Sequence, residues 1–379
     1  MSDRPSLATW LEPQHVHWSL RHVRELIPTE RIAGPPASQV RILPSKPTPG
    51  LLDMSVETHR GDVVLSDFLA TESRDALVVL HHGNIVLEWF GPDVGNDETH
   101  LIFSVTKSVT GLLAGALSQV GLLDLSAAVV DYVPEAAGGG FGDATIRQLL
   151  DMEASYEFIE DYSPGPDVVA YRHAAGWYPA PEQAPALHEF LVTRRADGAH
   201  GERFRYLSPT ADMVGWVCAR AARLSYAGSV EKYLWQPMGA QAQGHVTVDC
   251  EGTARAAGGL SVIPIDMARI GLIVAEGGAG IVSGEFIDDL THQGSHERWA
   301  IGDFAEMFPH GAYRSFWYQP RTDPDVVLAM GIHGQMIYVD RARHVVVVIM
   351  SSWEFPDDQD WHLDNVAIGA NIARTLGAH

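Results

Sequence analysis

The chain has 379 residues, 46% of them hydrophobic, and a formal net charge of −22, so it is long enough to bury a large core. Its 48 acidic and 26 basic side chains would repel a phosphate backbone, which argues against nucleic-acid binding. The sequence has no apolar run long enough for a membrane span or signal peptide. We therefore expect a cytoplasmic protein with no membrane or nucleic-acid partner.

The hydrophobic pattern predicts strands near both ends of the chain and helices between them. An N-terminal cover, residues 1–60, precedes a β-hairpin whose predicted turn is Gly83-Asn84. Strands are predicted at 76–80, 85–90, 326–339 and 344–351. Helices are predicted at 15–26, from Ser104 to Gly121, and at 146–150, 187–194, 211–222, 264–275 and 360–376.

This order of elements is typical of an α+β fold, in which both chain ends complete one antiparallel sheet flanked by helices. We expect an α/β lobe at 61–145 and 241–379, and an inserted, mainly helical lobe at 146–240. A loop rich in Pro, Tyr and Asp interrupts the helical lobe from Ser155 to Pro185. Loops of that length are commonly functional.

The segment from Phe103 to Ser108 contains the pattern S-x-x-K, formed by Ser104 and Lys107. Side chains three residues apart share one face of a helix, so the two can form a hydrogen bond. A lysine whose pKa is lowered by burial can accept the proton of a serine hydroxyl, and a helix N-terminus favours the oxyanion that develops. The pattern is short, and the alternative is a serine N-cap followed by an exposed lysine.

Two further segments accompany this pattern, Tyr206 to Ser208 and Gly331 to Gly334. In order and spacing, the three segments resemble the S-x-x-K, Y-x-S and H-x-G motifs of the serine β-lactamase and penicillin-recognising superfamily. Other segments, such as Trp10-Leu-Glu-Pro and Glu160-Asp-Tyr-Ser-Pro, are similar to the 6-aminohexanoate-dimer hydrolases of that superfamily. The resemblance then covers nearly the whole chain.

The resemblance implies that Ser104 is acylated, that Lys107 is its base and that Tyr206 relays a proton to the leaving group. It also implies an oxyanion hole made by the backbone N–H groups of Ser104 and Ile332. A tyrosine beside a lysine ammonium is further expected to favour the phenolate. The residues that the resemblance implies for substrate binding are Tyr162, His173, Trp177, Ser208, Tyr318, His333 and Gly334.

The chain departs from the resembled family at two places. Arg172-His173 stands where an acidic loop residue would hold a substrate amine, and Tyr318 stands where a tryptophan is expected. We therefore expect short-chain esters to be cleaved more readily than linear amides such as 6-aminohexanoate oligomers. A carboxylesterase with little amide activity is the alternative.

Two other functions are weighed against these. A β-lactamase or cell-wall peptidase needs a cation in the third motif, where His333 stands. A non-enzymatic ligand sensor would not need all three motifs intact.

No cofactor or metal is expected, because the histidines are scattered and the two cysteines lie far apart. We expect both cysteines, Cys218 and Cys250, to be buried as small apolar side chains. The predicted partner is a small-molecule amide or ester. The sequence excludes neither a monomer nor a homodimer.

Overall fold

The computed structural model describes residues 4–70, 73–161 and 165–378. The α-helices in these ranges are α1 (Pro13–Ser19), α2 (Leu65–Leu69), α3 (Val105–Gln119), α4 (Ile146–Leu150), α5 (Pro166–Ala174), α6 (Leu187–Thr193), α7 (Ser208–Ala222), α8 (Tyr226–Val230), α9 (Pro264–Ala275), α10 (Gly284–His292), α11 (His296–Ala300) and α12 (Gln359–Gly377). The strands are β1 (Thr29–Ile32), β2 (Ser55–Thr58), β3 (Gly61–Val64), β4 (Arg74–His81), β5 (Asn84–Phe90), β6 (His100–Leu101), β7 (Gly244–Thr247), β8 (Leu260–Val262), β9 (Ala312–Arg314), β10 (Trp317–Gln319), β11 (Val326–Gly331), β12 (Gln335–Asp340) and β13 (Val345–Ser351).

The central sheet has seven antiparallel strands in the order β5-β4-β13-β12-β11-β10-β9. Two strands from the first quarter of the chain therefore pair with five strands from its last fifth, through β4 and β13. This confirms the predicted α+β fold with an antiparallel sheet built from both ends of the chain. A smaller sheet, in the order β1-β7-β8-β6, leads into α3.

Helices cover both faces of the central sheet. A Cβ at Gly271 of α9 would lie only 2.8 Å from Ile337 and 3.4 Å from Val339, so these alternate residues of β12 face α9. Tyr338, between them, points to the other face, where α12 packs on β12 and β13. Because both faces are buried, β12 and β13 are buried along their full length, which accounts for the apolar runs at 336–339 and 345–350.

Several predicted elements differ from those observed. The hairpin turn is His82-Gly83, with φ values of 48° and 71°, one residue earlier than predicted. The predicted strand 326–339 is two strands separated by a short 3₁₀ turn, Ile332–Gly334. The predicted loop from Ser155 to Pro185 contains α5, which begins at Pro166, a residue well suited to the first helical position.

The N-terminal segment packs against the elements that precede α3. The predicted helix at 15–26 is shorter, since α1 ends at Ser19 and only a 3₁₀ turn follows. Trp10 lies in a separate hydrophobic cluster with Phe103 and Trp177, and its indole N–H donates a 2.9 Å hydrogen bond to the Trp177 carbonyl. The N-terminal segment thus supports the residue that immediately precedes Ser104.

In the described parts of 146–240 the regular elements are helices, α4 to α8, together with a π-helical turn at Glu231–Trp235, and no strand occurs there. The division into a cover and two lobes stays a prediction. Cys218 is buried as expected, but Cys250 is exposed, so the prediction for Cys250 was wrong. None of the described helices combines the length and apolar character needed to cross a membrane.

Candidate active site

Ser104 and Lys107 lie at the start of α3 and are in direct contact. The Lys107 ammonium donates a 2.9 Å hydrogen bond to Ser104 Oγ and a 2.8 Å hydrogen bond to the Ala257 carbonyl. Ser104 is the N-cap residue of the helix. Phe103, just before it, has a positive φ of 42°, a conformation that bulky residues rarely adopt. Lys107 is 1% exposed, which rules out the alternative of an exposed lysine.

Burial lowers the pKa of Lys107 from 10.5 to about 8. Glu160 and Asp212 oppose this change and Arg255 adds to it, because like charges disfavour the ammonium and opposite charges favour it. A substantial fraction of the amine is therefore neutral at mildly alkaline pH. A neutral amine in contact with a serine hydroxyl can accept its proton.

Tyr206 lies beside this pair. Lys107 Nζ is 5.0 Å from the centre of the Tyr206 ring, and the backbone N–H of Tyr206 donates a 2.9 Å hydrogen bond to Asp303. Burial raises the pKa of Tyr206 well above 10, while its hydrogen bonds with Ser104 and Tyr318 act in the opposite direction. The expected bias towards phenolate was therefore wrong: burial keeps the group a neutral phenol, which can donate a proton.

Ser104 and Ile332, whose backbone N–H groups are the predicted oxyanion hole, belong to two segments that approach each other closely at Gly331. A Cβ at Gly331 would lie 2.8 Å from the Ile102 carbonyl and 3.1 Å from the Ser104 nitrogen, so only glycine fits there without displacement. Among the described residues, neither N–H donates a hydrogen bond to a side chain or to backbone outside the regular elements. The oxyanion hole formed by these two groups stays a prediction.

Ser104 lies on the wall of two cavities. The first, here called the tyrosine-side cavity, has a volume of about 30 Å³. Its lining is formed by Ser104, Tyr206, Phe304, Met307, Tyr318, Met330, Gly331, Ile332, Asp357 and His362. It shares Tyr206, Phe304 and Asp357 with a much larger open cleft of about 760 Å³. Groups on this side of Ser104 can therefore extend towards solvent.

The second cavity, here called the arginine-side cavity, also has a volume of about 30 Å³. Its lining is formed by Phe103, Ser104, Lys107, Glu160, Val168, Tyr171, Arg172, Trp177, Ser208, Arg255, Ala257, Gly258 and Ile332. The predicted residues Trp177 and Ser208 thus lie here, and Tyr318 lies in the tyrosine-side cavity. Trp177 is held by a 2.9 Å hydrogen bond from its indole to Thr247.

Three predicted substrate-binding residues do not line either cavity. His333 is 2% exposed, contacts the Trp353 carbonyl through Nδ1 at 2.6 Å and packs against Phe103. Burial lowers its pKa to about 4, so it is a neutral structural residue. Gly334 packs against the Trp353 ring, and the ring of His173 packs edge-on against Tyr178. Tyr162 lies outside the described residues.

Two residues of the site were missed by sequence reasoning. Glu160 accepts hydrogen bonds from both Ser208 Oγ and the Ser208 backbone N–H, at 2.7 and 2.8 Å, and so fixes the start of α7. Glu160 belongs to a segment that carries the family resemblance, and that was its only sequence signal. Arg255 lies in a stretch of small residues with no recognisable motif, and nothing in the sequence identified it.

An antiparallel sheet with a serine and a lysine in contact at the start of a helix beside it is typical of one class of enzyme, the serine hydrolases. The family profile for Beta-lactamase matches residues 70–369, and the chain belongs to this family. It is a serine hydrolase.

The relatives agree with this assignment. A 6-aminohexanoate-dimer hydrolase of Paenarthrobacter ureafaciens is 32% identical over 99% of this chain and 95% of its own. Among solved structures, a Bacillus anthracis protein assigned as a 6-aminohexanoate-dimer hydrolase superposes with a TM-score of 0.87 at 23% identity, covering 100% of this chain and 98% of that one. A family VIII carboxylesterase superposes with a TM-score of 0.59 at 16% identity, covering 78% of this chain and 92% of that one. At these low identities, the two solved structures show the fold alone.

Proposed function

We propose that the protein hydrolyses small esters and, more slowly, small linear amides through an acyl-enzyme on Ser104. The observation that carries this proposal is the 2.9 Å contact between Ser104 Oγ and the buried amine of Lys107, whose pKa is lowered to about 8. A lysine with a lowered pKa in direct contact with a serine hydroxyl is typical of a catalytic site.

In the proposed acylation step, Lys107 accepts the hydroxyl proton while Ser104 Oγ bonds to the substrate carbonyl carbon. The negative charge that develops on the carbonyl oxygen is stabilised by the N–H groups of Ser104 and Ile332. The bond to the leaving group then breaks, and the leaving alcohol or amine takes a proton from Tyr206, which is reprotonated from Lys107. Water reverses these steps and releases the acid.

The chemistry favours esters over amides. An alkoxide leaves more readily than an amide anion, so an amide depends more strongly on proton donation by Tyr206. The linear 6-aminohexanoate dimer is the amide to test, because a relative is named for its hydrolysis. A β-lactamase is less well supported, since the buried neutral His333 offers no charge for a substrate carboxylate.

The proposal is tested with the wild-type protein and the Ser104→Ala variant on a neutral benzyl ester and on the linear dimer. We expect Ser104→Ala to lose ester hydrolysis by a factor of about 10³ or more, and mass spectrometry of the quenched wild type to detect the acyl group on Ser104. Full ester hydrolysis by the Ala variant would overturn the proposal. Hydrolysis of the ester alone by the wild type would favour the carboxylesterase.

A further inference from the structure

The arginine-side cavity contains a buried cation, Arg255, that forms no ion pair with the described residues. Arg255 is 6% exposed, and its Nε and Nη1 atoms are buried with no hydrogen-bond partner in the described parts of the chain. A buried guanidinium without partners is costly to the fold, because it has lost its hydration and gained nothing equivalent. Such a group is expected to bind a ligand that accepts its hydrogen bonds.

The aromatic side chains next to Arg255 hold it in place but accept no hydrogen bond from it. Its guanidinium carbon lies 4.1 Å from the centre of the Trp177 ring and 4.4 Å from that of Tyr171. These two aromatic contacts stabilise a cation and fix its position. Within the described ranges they leave Nε and Nη1 of the guanidinium without acceptors.

The nearby carboxylates already accept hydrogen bonds from groups other than Arg255. Asp212 accepts hydrogen bonds from the Ala257 backbone N–H at 2.8 Å and from the Tyr171 hydroxyl. Glu160 is held by Ser208 through both of its oxygens. No ion pair to Arg255 is formed by any acidic residue in the described ranges. The charged residues that line the cavity are three basic ones, Lys107, Arg172 and Arg255, and one acidic one, Glu160, so the lining beside Ser104 is positive overall.

The position of Tyr206 indicates which part of a substrate meets this charge. If Tyr206 gives its proton to the leaving group, the leaving group lies in the tyrosine-side cavity and the acyl group lies on the other side of Ser104, towards Arg255. The arginine-side cavity, with a volume of about 30 Å³, is far smaller than the open cleft of about 760 Å³. It therefore favours a short acyl group.

We propose that Arg255 binds a carboxylate at the far end of a short acyl group, so that the preferred substrates are half-esters or half-amides of small dicarboxylic acids. This inference rests on the proposed acyl-enzyme function and names its substrate class. Arginine is suited to the task because its planar guanidinium can donate two parallel hydrogen bonds to one carboxylate. Because Arg255 is positively charged, it disfavours a substrate whose acyl group ends in an ammonium.

The test compares monobenzyl succinate with benzyl 4-methylpentanoate, which carries a neutral isopropyl group of similar shape in place of the carboxylate. We expect the wild type to prefer the succinate, and Arg255→Met to lower the ratio of kcat/KM for the succinate to kcat/KM for the neutral ester about 10- to 100-fold, because any effect on Lys107 falls equally on both esters. Arg255→Lys keeps the charge and should recover part of the preference. Arg220→Met, at an exposed ion pair with Glu135, is the matched control.

A purely structural role for Arg255 predicts a different result, an equal loss on both esters. Such an equal loss, or a wild type that prefers the neutral ester, would overturn the inference. Binding provides a readout that needs no catalysis: succinate should raise the melting temperature of Ser104→Ala but not of Ser104→Ala/Arg255→Met. If succinate binding depended on Arg255 while Ser104→Ala kept full ester hydrolysis, the proposed function would fail and the carboxylate site would stand.

Discussion

The two cavities beside Ser104 differ in charge and in access to solvent. The arginine-side cavity is small, and its charged lining consists of the basic residues Lys107, Arg172 and Arg255 and the acidic Glu160. The tyrosine-side cavity is equally small but shares three lining residues with an open cleft of about 760 Å³, whose charged lining consists of four acidic residues and two arginines. A single serine thus faces a confined, mainly basic space on one side and, on the other, a space next to a wide, mainly acidic cleft.

This difference separates the two halves of a substrate. The arginine-side cavity limits the length of the acyl group and selects its charge. The tyrosine-side cavity, next to the open cleft, accepts leaving groups of many sizes. Specificity for the acid and tolerance for the alcohol or amine would follow from the same fold. Predictions that change one side and leave the other intact can test whether this division is real.

The largest expected loss of activity follows substitution of Lys107, because the proposed base acts on Ser104 whichever substrate is bound. Lys107→Met should lower kcat for both esters by about 10³-fold or more, because the Ser104 hydroxyl then has no base. The measurement is steady-state hydrolysis of both benzyl esters.

Thermal unfolding gives the control for Lys107→Met. At pH 7 the wild type holds Lys107 as a buried ammonium at a disadvantage of about 3 kcal/mol, since the pKa falls from 10.5 in the unfolded chain to about 8. That disadvantage is complete below pH 8 and disappears above pH 10.5. The Met variant should therefore unfold at no lower temperature than the wild type at pH 7. A much lower melting temperature would mean that lost activity reflects misfolding.

Tyr206→Phe should act on the tyrosine side and should separate amides from esters. Removal of the phenol takes away the proton donor for the leaving group, so we expect a loss of about 10²-fold or more in kcat/KM for an amide. The loss for an ester should be smaller, because its alcohol leaves more readily. Matched succinate monobenzyl amide and ester would measure this ratio, and equal losses on the two substrates would exclude the donor role.

The pH dependence should respond to charges on the arginine side. Lys107 acts as a base only when neutral, so kcat/KM of the wild type should rise with pH and level off above about 8. Arg255 lowers the pKa of Lys107 and Glu160 raises it. Arg255→Met should thus move the midpoint upward and Glu160→Gln should move it downward, each by about one pH unit or less.

A neutral ester is the right substrate for these pH profiles, because its binding does not depend on the charge of Arg255. The two variants serve as controls for each other, since their expected shifts have opposite signs. Movement of both midpoints in one direction would contradict a direct electrostatic effect on Lys107. An unchanged midpoint in both variants would mean that another group governs the profile.

Local patterns predicted the fold, and the family resemblance predicted the reacting residues. Strands β12 and β13 are mostly apolar, and α3 has a regular helical repeat from Ser104 onward. The pair Ser104 and Lys107 is one helical turn, so its contact follows from spacing alone. The fold itself is confirmed, while the catalytic roles stay proposals.

The sequence could not predict contacts between distant segments. Arg255 and Trp177 are separated by 78 positions in the printed sequence, yet their 4.1 Å contact defines one wall of the site. The error on Tyr206 has a similar origin, since the depth of burial that raises its pKa is set by the whole fold. His333 looked like a binding residue because it lies in a motif, but its side chain turns towards Trp353.

The smallest expected effect is on the binding of the leaving group in the tyrosine-side cavity and the open cleft. Phe304 lines both the tyrosine-side cavity and the cleft, and its ring centre is 5.3 Å from that of Tyr206. If leaving groups lie there, Phe304→Ala should raise KM about 5- to 10-fold for monobenzyl succinate and much less for monomethyl succinate, because a benzyl ring loses an aromatic contact and a methyl group does not. Since Phe304 is remote from Arg255, the preference for succinate over the neutral benzyl ester should be unchanged. A loss of that preference in Phe304→Ala would mean that the acyl group, and not the leaving group, occupies the open side.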